Sequence, residues 1–95
     1  MLTRPLTYPG GRLHINARTT RPDGFIKVAV REGRGVRDGE WPEGWRFDDS
    51  TPFTGDSLDH TMWWGECDIL DGFPDNTLRL LFWLENAELY SFWFE

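Results

Sequence analysis

Hydrophobic and polar residues alternate along most of this 95-residue chain. Successive side chains of a β-strand point to opposite faces of its sheet, so a period of two predicts strands that bury one face and expose the other. In the first such segment, Leu13, Ile15 and Ala17 share one face, while His14 and Asn16 lie on the other. Five segments show the alternation: residues 12–18, 25–31, 58–64, 78–85 and 89–94.

Turn-forming residues separate the alternating segments. The chain has ten Gly and six Pro, with clusters at 9–11, 22–24 and 72–74. Short strands between regular turns are typical of β-sandwiches and jelly rolls, and a chain of this length makes one compact domain. The sequence therefore predicts an all-β fold. Residues 1–10 form an N-terminal arm, and residues 11–95 form a single small, jelly-roll-like β-sandwich.

Large apolar residues fall at outward positions in the two C-terminal strands. Alternation assigns the inward positions to Leu78, Leu80, Phe82 and Leu84 in one strand and to Tyr90, Phe92 and Phe94 in the other. The outward positions then include Leu81, Trp83 and Trp93. Trp63 also points outward if Met62 and Leu58 face the core.

These outward residues would share one face if the two strands form a hairpin. A three-residue loop at 86–88 would place Trp83 opposite Ser91 and Leu81 opposite Trp93. The hairpin hypothesis therefore predicts a flat aromatic platform on one side of the sheet.

Two interpretations of this platform remain open. Flat aromatic rings stack on the apolar faces of sugars, and Arg79, Glu85, Ser91 and Asp59 could supply the surrounding hydrogen bonds. Alternatively, the segment 33–55 or a neighbouring domain buries the apolar face, because a free monomer rarely exposes a patch of this size. The sugar-binding interpretation assigns ligand contacts to Trp63, Trp83, Trp93, Arg79 and Leu81.

Four carboxylates cluster in a short acidic stretch, at Asp48, Asp49, Asp56 and Asp59. Oxygen-rich loops can hold Ca²⁺, which accepts six to eight oxygen ligands in irregular geometry. The spacing is not that of an EF-hand, and Asp side chains also cap turns in loops of this kind. A structural Ca²⁺ is therefore the one cofactor that the sequence suggests.

No pattern of catalytic residues is evident, so we expect a protein that is not an enzyme. His14 and His60 are the only histidines, and no third metal ligand has diagnostic spacing. Cys67 lies between Glu66 and Asp68, whose charges disfavour a reactive thiolate. A sandwich of this size rarely forms the cleft that two glycosidase carboxylates require.

Charge and hydropathy restrict the expected partners. Ten basic and sixteen acidic residues give a net charge of −6, which repels nucleic acid. No apolar run approaches the roughly 18 residues of a membrane span, and no secretion leader is apparent. The single cysteine excludes an internal disulfide. We therefore expect no nucleic-acid or membrane partner, and an apolar face that binds sugar, docks on a protein or forms a homodimer.

The order of these features resembles the C-terminal β-sandwich modules of bacterial glycoside-hydrolase-like proteins with sialidase-type or five-bladed-propeller catalytic domains. The resemblance covers nearly the whole chain, and its most specific part is Ala-x-Leu-Tyr-Ser-Phe-x-Phe at Ala87–Phe94. The other matching segments are residues 2–6, 11–17, 24–28, 54–57, 63–68 and 78–82.

The resemblance implies an accessory domain that binds a polysaccharide or oligosaccharide, or that braces the catalytic domain of its own longer parent chain. It also implies a secreted or periplasmic bacterial protein. No catalytic residue carries over from such a module. The chain departs from the pattern at Leu81, Trp83 and Trp93, where those modules usually carry polar residues, and in its Trp-rich segment 38–45.

Overall fold

The computed structural model describes residues 2–32, 44–70, 73 and 76–95. The predicted cover at 33–55 and the Trp-rich segment 38–45 therefore lie partly outside the described residues. Within the described part, no helix has the length and apolar character needed to cross a membrane. The strands are β1 (Leu6–Thr7), β2 (Leu13–Thr19), β3 (Phe25–Glu32), β4 (Asp56–Thr61), β5 (Thr77–Glu85) and β6 (Ala87–Phe94).

The six strands form two antiparallel sheets of three strands each. Sheet I has the order β1-β5-β3, and sheet II has the order β4-β2-β6. Their inner faces pack on each other; the rings of Phe82 in sheet I and Phe92 in sheet II, for example, lie 5.1 Å apart. The prediction of a small all-β sandwich is therefore confirmed.

The inward positions predicted for β2, β3 and β5 form the core. Alternate residues of β2 and β5 are buried, because each strand presents every second side chain to the opposing sheet. The same alternation holds in β3, except that Ala29 on its other face is buried as well. The fully buried aliphatic side chains of the three strands are Leu13, Ile15, Ala17, Ile26, Val28, Val30, Leu78 and Leu80.

The segment that follows residue 43 seals the free edge of β3. The backbone N–H of Val28 donates to Ser50 Oγ at 3.0 Å, and Trp64 Nε1 donates to the Val28 carbonyl at 2.7 Å. Ile26 and Phe53 exchange two backbone hydrogen bonds, and the Val30 N–H donates to the Trp45 carbonyl. This edge is therefore closed to strand pairing with another chain.

The N-terminal arm extends sheet I. Its residues 6 and 7 are β1, and further upstream the Thr3 N–H donates to the Leu80 carbonyl at 2.9 Å. The Leu80 N–H in turn donates to Thr3 Oγ1 at 3.0 Å, and Leu2 bridges Leu81. The arm thereby covers the edge of β5.

The predicted hairpin between the two C-terminal strands is wrong. β5 pairs with β1 and β3, whereas β6 pairs with β2 in the other sheet. Asn86 is the single residue that links β5 in sheet I to β6 in sheet II, and it has a φ of 48°. Asn tolerates this left-handed conformation better than most residues, and the turn lets the chain leave one sheet and enter the next. Trp83 is therefore not opposite Ser91, and Leu81 is not opposite Trp93.

Two bulges change which residues face the core in sheet II. In the β2–β6 register, Asn16 pairs with Ser91 and Ala17 with Leu89, so Tyr90 is the extra residue. Leu89 consequently packs against the core and Tyr90 is 55% exposed, the reverse of the prediction.

The second bulge lies in the β2–β4 pairing between Ile15 and Ala17. It leaves Leu58 79% exposed, although alternation places it on the same face as the buried Met62. Phe92 and Phe94 lie beyond the β6 bulge and pack against the core as predicted.

Candidate binding faces

Three of the five predicted ligand-binding residues share the outer face of sheet I. Arg79, Leu81 and Trp83 alternate with the buried residues of β5 and point away from the core. In the register with β3, Trp83 pairs with Lys27, and Leu81 pairs with Ala29. We call this surface the β5 face; it consists of Leu2, Phe25, Lys27, Arg31, Phe47, Arg79, Leu81, Trp83 and Glu85. Ala29 lies among these residues but is itself buried.

Trp83 is the centre of an aromatic cluster on the β5 face. The ring of Phe25 meets it edge-on at 5.1 Å, and that of Phe47 does so at 5.4 Å. Lys27 Nζ lies 5.4 Å from the ring centroids of both Phe25 and Trp83. Trp83 nevertheless remains 42% exposed. The neighbouring rings hold the indole in place, so its exposed part is an ordered apolar surface.

Trp93 lies on the opposite side of the molecule, on the outer face of sheet II. It pairs with His14 of β2, and the two rings stack at 5.6 Å with an interplanar angle of 11°. Its Nε1 donates to Glu95 Oε2 at 3.0 Å. Trp93 is half-buried, and its strand β6 is at the edge of sheet II in the part of the chain that the structure describes. The single platform of Trp63, Trp83 and Trp93 therefore does not form.

Tyr90 is a second aromatic residue on this outer face. Its hydroxyl donates to Glu88 Oε2 at 2.6 Å, and Arg18 Nε donates to the same oxygen at 3.2 Å. The hydrogen bonds from Tyr90 and Arg18 lower the pKa of Glu88, and the bond to the Glu88 carboxylate raises the pKa of Tyr90. This network fixes an exposed phenol ring in one orientation.

Polar side chains lie between the two aromatic residues. Asn16 and Ser91 form one cross-strand pair on the outer face. Asp59 Oδ1 lies 2.5 Å from His14 Nδ1, next to the Trp93 stack. We call this surface the β6 face; it consists of His14, Asn16, Arg18, Asp56, Asp59, Thr61, Glu88, Tyr90, Ser91 and Trp93.

The β6 face thus combines separated aromatic rings with hydrogen-bonding groups. Tyr90 and Trp93 are separated along β6, with the Asn16–Ser91 pair between them. Sequence reasoning missed Tyr90, because strict alternation places it in the core and only the bulge turns it outward.

Trp63 is outward, as predicted, but lies beyond the end of β4. It is 39% exposed, whereas Met62 and Trp64 on either side of it are buried. Its carbonyl accepts a hydrogen bond from the Thr51 N–H at 2.8 Å. Trp64 belongs to the core, where its ring contacts that of Trp45 at 5.2 Å.

The four acidic residues proposed as Ca²⁺ ligands do not converge. Asp49 Oδ2 accepts hydrogen bonds from the N–H groups of Gly44 and Arg46, so it caps the turn at 44–49. Asp59 is engaged by His14, and Asp56 pairs with Arg18 across β2 and β4. Among the residues that the structure describes, no group of three or more His, Cys, Asp or Glu side chains could hold a metal ion.

The two histidines lie on opposite faces of sheet II. His14 pairs with Thr61 on the outer face, whereas His60 pairs with the buried Ile15. The His60 ring packs against that of Phe53 at 4.7 Å, and this burial lowers its pKa despite the opposing charge of Asp59. The two imidazoles therefore cannot combine in one site.

Comparison of the chain with protein-family models, curated proteins and solved structures found no match.

Proposed function

We propose that this protein is a noncatalytic carbohydrate-binding module and that sugar binds to the β6 face. The observation that carries the proposal is the exposure of Tyr90, at 55%, on the face that also carries Trp93. The Asn16–Ser91 pair lies between the two rings in the strand register. Rings supply stacking, and amide, hydroxyl and carboxylate groups supply the hydrogen bonds that orient a sugar.

The spacing of the rings suits an extended chain of sugars. Two rings that are separated along one strand let one extended ligand contact both of them. Both rings are held before any ligand arrives, Tyr90 by Glu88 and Trp93 by His14 and Glu95. An open face with two stacking residues gives weak binding, and we expect micromolar to millimolar dissociation constants.

The charges on the β6 face favour neutral sugars over acidic ones. Its carboxylates are Asp56, Asp59 and Glu88, while its permanent cation, Arg18, is already paired with Glu88. A uronate or sulfated sugar would meet a net negative charge, whereas hydroxyl groups can donate hydrogen bonds to these carboxylates. We therefore expect plant or algal neutral polysaccharides to bind better than pectin or alginate.

Affinity electrophoresis against neutral and acidic polysaccharides tests the proposal, followed by calorimetric titration with a soluble oligosaccharide of the best class. Tyr90→Ala and Trp93→Ala should each weaken binding at least tenfold, because stacking on one ring contributes about 1–3 kcal/mol by analogy with base stacking. Trp83→Ala should bind normally, because its ring lies on the other sheet. Unchanged retardation of both β6-face variants would refute the site.

A second function is favoured by the β5 face. Leu2 and Trp83 are 46% and 42% exposed, beside the half-buried Phe25, Phe47 and Leu81. This surface combines apolar side chains with charged ones and has few neutral hydrogen-bonding groups, which suits a protein partner better than a sugar. We propose that it serves as an interaction surface, toward either a second copy or the catalytic domain of a longer parent chain.

The resemblance to accessory modules of bacterial glycoside-hydrolase-like proteins supports both functions. It leads us to propose that the parent protein is secreted or periplasmic, because a protein in these locations can encounter polysaccharides. Two faces with different chemistry would let one module hold a sugar while it docks on a neighbour.

A further inference from the structure

The β5 face carries an excess of positive charge on an acidic protein. Its cations are Lys27, Arg31 and Arg79, and its anion is Glu85. Three cations and one anion give this face a net charge of +2, and since the whole chain carries −6, the rest of the chain carries −8. Charges more than about 10 Å apart are largely screened at physiological salt, so a ligand on this face responds mainly to the local positive charge.

Two of the cations lie directly opposite each other. Arg31 of β3 pairs with Arg79 of β5, so both side chains are on the outer face of sheet I. Like charges at directly opposed positions of an antiparallel sheet are destabilising, because their Cβ atoms lie only about 5 Å apart. An anion bound between the two guanidinium groups reduces this repulsion. The pair is therefore a position at which a carboxylate is favoured.

Arg79 also has an unsatisfied polar atom. Its Nε is shielded from water and has no hydrogen-bond partner among the described residues. The loss of hydration at this N–H is therefore not compensated within the part of the chain that the structure describes. A carboxylate that binds the Arg79 guanidinium offsets this loss, because Arg and carboxylate groups form short, charge-assisted hydrogen bonds.

Apolar side chains separate the Arg31–Arg79 pair from Lys27. Leu81 and Trp83 are the next two outward residues of β5 after Arg79. Lys27 pairs with Trp83 and lies four residues along β3 from Arg31, which corresponds to about 13 Å. Trp and Arg are enriched among the side chains that dominate binding energy at protein–protein interfaces. The order of charged and apolar groups along this face therefore suits a protein.

We infer that the β5 face binds an acidic segment of a protein partner, in which two carboxylates about 13 Å apart flank a large apolar side chain. One carboxylate binds the Arg31–Arg79 pair, and the other contacts Lys27. The apolar side chain between them packs on Leu81 and Trp83. In an extended segment this separation corresponds to four residues, which gives the pattern acidic-x-apolar-x-acidic.

Two properties of the molecule restrict the occupant to a short segment that lies across the face. The N-terminal arm and residues 45–53 cover the edges of β5 and β3, so a partner cannot pair its backbone with these strands and is recognised by side chains. A long polyanion, such as a nucleic acid or an acidic polysaccharide, would extend beyond the face onto the acidic remainder of the surface, which repels it.

This inference rests on the proposed interaction function of the β5 face and is independent of sugar binding by the β6 face. NMR titration of the isotopically labelled full chain tests it, with the synthetic peptide Gly-Ser-Glu-Thr-Leu-Thr-Glu-Ser-Gly as the probe. The amide signals of β3 and β5 and the Nε–H signal of Arg79 should shift. The dissociation constant should be about 0.1–1 mM and should rise with salt. A peptide with Lys in place of both Glu residues should bind at least about tenfold more weakly.

Matched variants separate this site from a general effect of charge. Arg79→Gln should raise the dissociation constant of the acidic peptide at least about fivefold without lowering the thermal midpoint, because it also removes the like-charge repulsion. Arg12→Gln removes the same charge beside β2 of the other sheet, where Arg12 pairs with Asp68, and should change the dissociation constant less than about twofold. Equal weakening by the two variants would contradict the inference.

A second variant keeps the test decisive if Arg79→Gln fails to fold. Lys27→Gln removes the cation at the other end of the site and should weaken binding of the acidic peptide at least about threefold. Binding as tight as that of the parent would show that no carboxylate contacts Lys27, and the inference would be wrong.

Other occupants of the face give different results in the same titration. Equal shifts with the acidic and the Lys-containing peptides would leave the interaction function standing but overturn the inference of an acidic partner. Shifts with oligogalacturonate but not with the peptide would assign the face to an acidic sugar, and shifts with protein concentration alone would assign it to a second copy; either result overturns the inference. No shift on this face with any probe would contradict both the inference and the interaction function.

Discussion

The indole Nε1 of Trp64 donates a hydrogen bond to the carbonyl oxygen of Val28 at 2.7 Å, across 36 residues of chain. Trp64 is 3% exposed, while its neighbour Trp63 is 39% exposed. The ring thus packs in the core, and its one polar atom, Nε1, satisfies a backbone carbonyl at the free edge of β3. Trp64 therefore has a structural role, whereas the side chain of Trp63 is accessible to a binding partner.

Trp64→Phe should therefore destabilise the fold, by about 2–4 kcal/mol, through lost burial and an unsatisfied Val28 carbonyl. Urea unfolding followed by circular dichroism measures the change without relying on tryptophan fluorescence. Trp63→Phe is the matched control and should alter the free energy of unfolding by less than about 0.5 kcal/mol. Equal effects at the two positions would contradict this division of roles.

Ser50 should contribute to stability through a single hydrogen bond. It is a buried polar residue, and its Oγ accepts the Val28 N–H at 3.0 Å. Ser50→Ala leaves that N–H buried without an acceptor, which should cost about 1–3 kcal/mol. The exposed Ser91 provides the control, since Ser91→Ala should leave the thermal midpoint nearly unchanged. A Ser50→Ala protein as stable as the parent would show that water replaces the hydroxyl.

Stability should fall as the pH drops below the ordinary His60 pKa of 6.5. Burial lowers the pKa of His60 in the folded protein, so the unfolded chain binds a proton that the folded chain resists. This contribution to stability is fully present above the ordinary pKa and is lost progressively as the pH falls from 6.5 toward the lower pKa of folded His60.

Urea midpoints across this pH range measure the effect. In His60→Leu, the decline between pH 7 and pH 5 should be shallower than in the parent, because the titrating group is gone while the contact with Phe53 is kept. The same slope in both proteins would mean that other groups cause the acid sensitivity.

The backbone of Asn86 should limit what can replace it. Its φ of 48° is strained for residues with a Cβ but not for glycine. Asn86→Ala should lower stability by about 1 kcal/mol, and Asn86→Gly should remain close to the parent. Denaturant unfolding of the pair measures this difference. If both variants unfold at the same urea concentration, the left-handed turn is not what joins the two sheets.

Alternation predicted the inward residues of β2, β3 and β5 correctly. β3 and β5 pair without a bulge, and the extra residues of the two bulges lie on β4 and β6, so β2 itself keeps a period of two. It failed at Leu58, Leu89 and Tyr90, which all adjoin bulges. A bulge depends on how two strands that are distant in sequence align, so the local sequence around these residues does not predict it.

The candidate site was predictable only as a set of residue types. Exposed aromatic residues were expected at Trp63 and Trp83, and both are exposed. Their arrangement was not predictable, because the hairpin hypothesis treated neighbours in sequence as neighbours in a sheet. Asn86 instead carries the chain to the opposite sheet, which separates Trp83 from Trp93 and divides one expected platform into two faces.

By itself the sequence determined that the chain would form strands, which residues of most strands would be buried, and that large rings would remain outside. These properties follow from side-chain chemistry and a period of two, which each segment carries locally. Only the tertiary structure decided which strands pair, where the bulges fall and which rings share a surface. Those outcomes depend on contacts between segments far apart in the chain, such as β2 with β6, and no local pattern encodes them.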